Sequence, residues 1–420
     1  MDKGDNYEVK DISLADQGMN NMELAEARMG ALLEIKQRFE KEKPLKGIRV
    51  GMALHVTKET GILVRTLIAG GAEVAITGCN PLSTQDDVAA ALAKEGVYIW
   101  AYKGESNEDY YRYINHVIDF KPRVTIDDGC DLVSEIHKKH TQMIPDILGG
   151  CEETTTGIIR LNAMEKDGAL KYPVIAVNDN QTKHLLDNYY GTGQSSLDGI
   201  LRATNVLFAG KNVVVCGYGS CGKGVAMRAS GLGSSVIVTE VDNFRALQAS
   251  LDGYRVLPIE EAASIGDIFI TVTGNKRVIR MEHMKKMKDG AILANSGHFD
   301  LEIDIKALKK SSSSEKNIRP QLDEIRIDGK RIYLAGEGRL VNLAAAEGHP
   351  SEVMATSFCG QALAVEYIVK NKNQLKPGVI TLPKEIDDQI SGLQLEAMGV
   401  RKDKMTSEQE KYMNSWEEGT

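Results

Sequence analysis

Five short apolar runs in the first half of the chain are each followed at once by residues that carry protons or bind sugars. After GMAL come His55 and Thr57, and after EVAITG come Cys79 and Asn80. Lys103 follows VYIWAY, and Asp127 and Asp128 follow RVTI. After VIAV come Asn178 and Asp179, with Lys183, Asp187 and Asn188 a few residues on. In open α/β sheets, ligands bind beyond the carboxyl ends of the strands. One crevice would then collect a His, several carboxylates, a Lys and an Asn, a set able to take, hold and return protons. Each type also has an ordinary structural use. Asp127-Asp128-Gly129 makes a turn, Asn178-Asp179 caps a helix, Thr154-Thr155-Thr156 suits a strand, and a His at 55 can sit satisfied in a core. Their joint placement at strand ends is what points to a site.

A second constellation begins at Val213, VVVCGYGSCGKGVAMRASGLGSSVIVTEVD. A strand runs into Gly217-Tyr218-Gly219-Ser220-Cys221-Gly222, and a helix-like run follows. Gly217 permits the tight turn, Gly219 lets backbone approach a pyrophosphate, and Gly222 allows helix to pack on strand. The helix N-terminus offers N–H groups to the anion. Glu240 ends the next strand, eighteen positions after Gly222. A carboxylate there accepts from ribose hydroxyls and repels a 2′-phosphate, so NAD is expected over NADP.

The elements that must hold these residues read as strands alternating with helices, which implies parallel βαβ units. The first fifty residues read as helical, with apolar positions of MELAEARMGALLEIKQRFEKEK at helical spacing. The fold class is α/β, with two doubly wound Rossmann-like domains and a small helical C-terminal tail. The expected boundaries are 1–190 with 342–385 for the substrate domain, 191–341 for the NAD domain and 386–420 for the tail. KKSSSSEKNIRPQLDE, from Lys309, reads as a loop or excursion.

Composition narrows the class. The 420 residues carry a net charge of −8, which argues against a nucleic-acid partner. No apolar run is long enough to cross a membrane. MDKGDNYEVKD has no apolar core of a leader, so the cytoplasm is expected. The six Cys form no CxxC and read as reduced thiols. His137 and His140 in HKKH lack further ligands, and His55 with Glu59, four apart, lacks a third. No metal is expected.

The motifs in order resemble those of the S-adenosylhomocysteine hydrolase family, from about Leu14 to Thr406. They include LHVTKET (54–60), CNPLSTQD (79–86), YKGE (102–105), DDGCDL (127–132), EETTTG (152–157), VNDNQTKHLLDNYYG (177–191), GYGSCGKG (217–224), TVTGN (271–275), GHFDLEID (297–304), GEGRLVNL (336–343) and GHPSEVM (348–354). The resemblance implies redox-neutral hydrolysis of a nucleoside thioether. Bound NAD⁺ oxidises the ribose 3′-OH to a ketone, the C4′ proton becomes acidic, homocysteine leaves, water adds, and the hydride returns. Lys183, with Asn188, is implied to take the 3′-OH proton, from a pKa lowered by its surroundings. Asp187 is implied to hold the 3′-OH and Glu153 the 2′-OH. Asp128 and His55 are implied to serve the C4′ proton and the leaving thiolate or attacking water, with His298 near the reacting edge. Thr57, Glu59 and His349 are implied to contact base and sugar. NAD is implied to meet Thr154, Thr155, Thr156, Asn188, Gly217, Gly219, Ser220, Cys221, Gly222, Glu240, Arg245, Thr273, Asn275, Ser296, Gly297, His298, Asn342 and His349. A homotetramer is implied too, and two domains closing over substrate would exclude water.

The chain departs from the family in places. Thr192 stands where a Cys is common, and Arg245 where an Asn is common. The sequence ends at SWEEGT without the Lys- and Tyr-containing tail that reaches a neighbour's NAD in many members, which implies easier NAD exchange. Some methanogen relatives act on S-inosylhomocysteine. Glu59 favours an adenine amino group, while Glu347, where animal members have Met, adds an acid near the base. Adenosyl and inosyl substrates both stay open. A net NAD-dependent dehydrogenase shares the fingerprint but leaves the polar crevice unexplained.

Overall fold

The computed structural model describes residues 1–417. Residues 418–420, the end of the expected tail, lie outside the described residues. Two sheets dominate. The first contains β1 (Asp2–Gly4), β2 (Tyr7–Val9), β3 (Arg49–Ala53), β4 (Glu73–Thr77), β5 (Tyr98–Trp100), β6 (Val124–Asp127), β7 (Gly149–Glu152) and β8 (Pro173–Ala176). The second contains β9 (Asn212–Cys216), β10 (Ser235–Thr239), β11 (Arg255–Val256), β12 (Ile268–Thr271), β13 (Ala291–Asn295), β14 (Ser314–Arg319), β15 (Leu322–Ile327) and β16 (Lys330–Ala335). The chain then returns to the first sheet and adds β17 (Gly378–Ile380).

The first sheet has the order β1-β2-β5-β4-β3-β6-β7-β8-β17 and is parallel except for the β1–β2 pair. The second has the order β11-β10-β9-β12-β13-β16-β15-β14, parallel from β11 to β16. The central strands are buried on both faces, as in β6 and β12, because helices cover both sides of a parallel sheet. Strand order reverses between β3 and β6 in one sheet and between β9 and β12 in the other. These are the two switch points at which a crevice opens beyond the strand ends. His55 and Asp128 follow β3 and β6, and the glycine turn and Thr273 follow β9 and β12.

Two stretches differ from the sequence reading. The first residues are a hairpin, β1 with β2, and β2 pairs with β5. Three-residue strands are too short to show a period. The stretch 309–324, read as a loop or excursion, carries β14 and the first half of β15, an antiparallel hairpin on the edge of the second sheet. Its β14 is exposed along its whole length and polar at every position but Ile318, as edge strands often are, so it lacks an apolar alternation.

The chain crosses between the sheets twice. The first crossing is helical, through Thr182–Gly191 and Thr192–Thr204. The second runs through Val341–Ala344 into the long helix Ser351–Asn371.

Candidate active site

Both switch points open into one cavity of about 1160 Å³. From the first sheet it is lined by His55, Thr57, Glu59, Asp128, Glu153, Thr154, Thr155, Thr156, Lys183, Asp187 and Asn188. From the second it is lined by Gly217, Gly219, Ser220, Cys221, Glu240, Arg245, Thr273, Asn275, Ser296, Gly297 and His298, with Asn342 and His349 on the returning segment. Gly222, expected among the cofactor contacts, is not on the wall. A Cβ there would overlap the Gly217 carbonyl, so it acts beneath the turn, in packing. Cys79, Asn80, Lys103, Asp127 and Asp179 also stand away from the cavity. Asp127 accepts from the backbone of Asp128 and Val133, and Lys103 donates to the Ala344 carbonyl.

The reacting group of the wall sits on an unusual element. Thr182–Gly191 is a π-helix, whose wide turn brings residues five apart face to face and is frequent at functional sites. Lys183 Nζ donates to Asn188 Oδ1 at 2.8 Å and stands 3.1 Å from Asp187 and 3.5 Å from Glu153. Asn188 in turn donates to Asn178 at 3.2 Å. Burial works against the Lys183 charge, but Asp187, Glu153 and Asp128 outweigh it and hold the ammonium above the ordinary lysine range. The expectation of a lowered pKa is therefore corrected for the protein alone, since three carboxylates surround the amine. Burial likewise opposes Asp187, yet Lys183 and His349 keep its carboxyl below the usual range.

A second group forms around Asp128. His55 Nε2 and His298 Nδ1 each lie 3.5 Å from its carboxylate. His55 Nδ1 meets Ser83 Oγ at 2.7 Å and Cys79 Sγ at 3.2 Å. Burial pulls the His55 pKa down to about 4, so the ring is neutral at neutral pH and able to accept a proton. His298 comes from the other sheet and lies so close to Gly129 that a Cβ there would overlap its ring. Gly129 also has a φ of +103°, so glycine is required twice over. The ligand atoms of His55, Asp128 and His298 lie within 4.8 Å of one another. The partners of His55 are thus Asp128 and His298, not Glu59.

The long helix after the second crossing supplies residues that sequence reasoning missed. Its Ser351 donates to Glu59 Oε1 at 2.6 Å, Ser357 donates to Glu153 at 2.5 Å, and Gln361 donates to the other Glu153 oxygen. Met354 and Phe358 from the same helix line the cavity with Leu54 and Leu343. Spacing of three to four residues from 351 to 361 places these on one helix face, a signal that was legible in GHPSEVMATSFCGQ. His184, inside VNDNQTKHLLDNYYG, also lines the cavity.

The cofactor end has the chemistry of a dinucleotide site. Gly217 has a φ of +110°. A Cβ on Gly219 would meet nothing but the Arg245 guanidinium, at 3.8 Å, which leaves room for a pyrophosphate over the helix Ser220–Gly231. Glu240 is fixed by accepting from the backbone of Tyr218, Val241 and Asp242 at 2.7 to 3.0 Å. Asn342 lines the cavity, and its buried Oδ1 has no hydrogen-bond partner among the described residues. Thr192, at the position where a thiol is common, meets His349 at 3.3 Å and Cys221 at 3.5 Å.

Residues 6–142 match the S-adenosyl-L-homocysteine hydrolase family, and residues 188–348 match its NAD binding domain. The chain is 59% identical over 414 residues to an S-inosyl-L-homocysteine hydrolase of Methanocaldococcus jannaschii, covering 99% of this chain and 100% of that one. It is 56% identical over 416 residues to an adenosylhomocysteinase of Saccharolobus solfataricus, with the same coverage. The chain belongs to the S-adenosyl-L-homocysteine hydrolase family. Like the family, it is an enzyme with an NAD-binding domain, and NAD is its cofactor. No described helix is long and apolar enough to cross a membrane.

Proposed function

We propose that the protein hydrolyses S-adenosyl-L-homocysteine to adenosine and homocysteine, with no net redox change. The observation that carries this is the convergence of two proton-handling groups, Lys183–Asp187–Asn188 and His55–Asp128–His298, with a dinucleotide turn in one cavity. NAD⁺ supplies a hydride acceptor for the ribose 3′-carbon, which makes the C4′ proton acidic. Glu153 and Asp187 hold the 2′- and 3′-hydroxyls. Lys183 takes the 3′-OH proton. For that step Lys183 must first shed its own proton, which like-charge repulsion from a bound cationic cofactor would favour. Asp128 and neutral His55 manage the C4′ proton and the leaving thiolate, and His298 closes the reacting edge. Thr154, Thr155, Thr156, Arg245, Thr273, Asn275, Ser296 and Gly297, which line the cavity, would hold the cofactor. The protein works as a homotetramer in the cytoplasm.

Adenine suits Glu59, a buried carboxylate that accepts from an exocyclic amino group. A second reading, S-inosyl-L-homocysteine, is supported by Lys58, whose ammonium stands 3.4 Å from Glu59 Oε1. A carboxylate beside an ammonium also suits N1–H and the 6-oxo group of hypoxanthine. The methanogen relative bears that name.

The test is thiol release by the NAD-loaded protein from each compound, with nicotinamide absorbance followed alongside. Homocysteine from the adenosyl compound, without accumulating NADH, is the expected result. Thiol from the inosyl compound alone transfers the specificity to the second reading. Thiol from neither overturns both.

A further inference from the structure

His184 lies between the two halves of the cavity and belongs to neither proton-handling group. It is on the π-helix, one residue after Lys183. Its Nε2 meets Ser220 Oγ at 3.0 Å, and its Nδ1 meets Asn188 Nδ2 at 3.5 Å. Ser220 opens the helix that follows the glycine turn. Asn188 is the residue to which Lys183 donates.

These contacts decide the tautomer. The Asn188 Nδ2 is a donor, because its Oδ1 is taken up by Lys183. The ring nitrogen facing it must therefore accept, so Nδ1 is bare and Nε2 carries the proton. Nε2–H then donates to Ser220 Oγ. That occupies the hydroxyl's acceptor side and leaves its own proton free to point into the cavity. Burial and the neighbouring Lys183 charge hold the His184 pKa below the ordinary imidazole value, consistent with a neutral ring.

We infer that His184 is a positioning residue that ties the pyrophosphate turn to the hydride-transfer site. One ring edge aims the Ser220 hydroxyl at an anionic cofactor group. The other fixes the Asn188 amide so that its carbonyl faces Lys183. The inference rests on the hydrolase reading above, and its two arms are measured separately. Asparagine places a polar atom where Nδ1 is, and glutamine places one where Nε2 is, so each retains one arm.

The experiment uses the NAD-loaded enzyme and the variants His184→Ala, His184→Gln and His184→Asn. Two rates are read: release of bound NAD⁺ into an excess of a competing dinucleotide, and single-turnover reduction of bound NAD⁺ on mixing with S-adenosylhomocysteine or S-inosylhomocysteine. A lost neutral hydrogen bond corresponds to roughly 3- to 10-fold. His184→Ala is expected to speed release and slow reduction by factors of that order. His184→Gln should restore release and not reduction, and His184→Asn should restore reduction and not release. Wild-type values for His184→Ala overturn the inference. So does equal impairment of all three variants in both readouts, which is the pattern of a merely structural residue. A wild-type enzyme that reduces no NAD⁺ with either compound sinks the hydrolase reading instead. The release rates then still decide the Ser220 arm.

Discussion

Glu105 shows how a residue away from the chemistry makes stability depend on pH. It is buried behind the loop that carries Cys79 and Ser83, and both its carboxylate oxygens lack hydrogen-bond partners among the described residues. Gly78 stands against it and against Thr84, with room for a Cβ only at 3.2 Å from the Thr84 hydroxyl. Burial pushes the Glu105 carboxyl up to about 8. An acid with a raised native pKa keeps its proton while the unfolded chain loses it. Stability therefore falls as pH rises from the ordinary Glu value of 4.5 to about 8, and is level beyond. At pH 7 the loss is about 3 kcal/mol. Glu105→Gln, neutral at every pH, is expected to unfold at higher denaturant at pH 8 than the parent and to match it near pH 4.5. Parallel midpoints of parent and variant across that range would refute the assignment. YKGE announced the position of this Glu in the sequence but not its burial, because burial is set by strands and helices far along the chain. The same holds for Lys183. Its type, motif and neighbour Asp187 were readable, whereas the other carboxylates that raise its pKa, Glu153 and Asp128, come from distant parts of the chain.

At the scale of elements, the strands were legible wherever both faces are buried. Runs such as VVVC and DIFIT are long enough and apolar enough to announce themselves. The β1–β2 and β14–β15 hairpins were not, since an edge strand has one solvated face and little apolar content. The π-helix was hidden for another reason: its sequence has no period distinct from an α-helix, and only the folded backbone shows the wider turn. Its exit depends on two close approaches. Gly193 packs on the Gly224 carbonyl, where a Cβ would come within 2.6 Å of the oxygen, and a Cβ on Gly224 would overlap the Tyr189 carbonyl. The glycine that opens the first crossing helix is thus matched to one in the cofactor helix. Gly224→Ala has to force these helices apart. It is expected to cost about 1–3 kcal/mol and to speed NAD⁺ release at least several-fold, because Ser220 and Cys221 sit on the displaced helix. A melting temperature and a release rate equal to the parent's would show that the helices are free to separate.

At the scale of the whole molecule, the question is what registers the two sheets on each other. His298 seated on Gly129 is one contact. The returning segment before His349 is another, and it is held from both sides. Lys103 donates to the Ala344 carbonyl at 2.8 Å, and Gln85 donates to the Glu347 carbonyl at 3.3 Å. The Glu347 carboxylate meets Lys58 at 3.0 Å and Arg202 of the crossing helix at 3.1 Å. Lys58 is shared with Glu59, so this exposed acid is linked to the purine end of the cavity through one ammonium. Exposed ion pairs contribute roughly 0–1 kcal/mol to stability and are screened by salt. Glu347→Gln is therefore expected to leave the melting temperature nearly unchanged. Its effect should fall on binding: freed from Glu347, Lys58 turns wholly to Glu59 and competes with an adenine amino group for that carboxylate. KM for the adenosyl compound should rise about 3- to 10-fold with kcat little changed, while KM for the inosyl compound rises less, because a 6-oxo group accepts from the same ammonium. Added salt should raise the parent's adenosyl KM toward that of the variant. Equal KM changes for both compounds would leave Glu347 as a tie between domains with no part in choosing the purine.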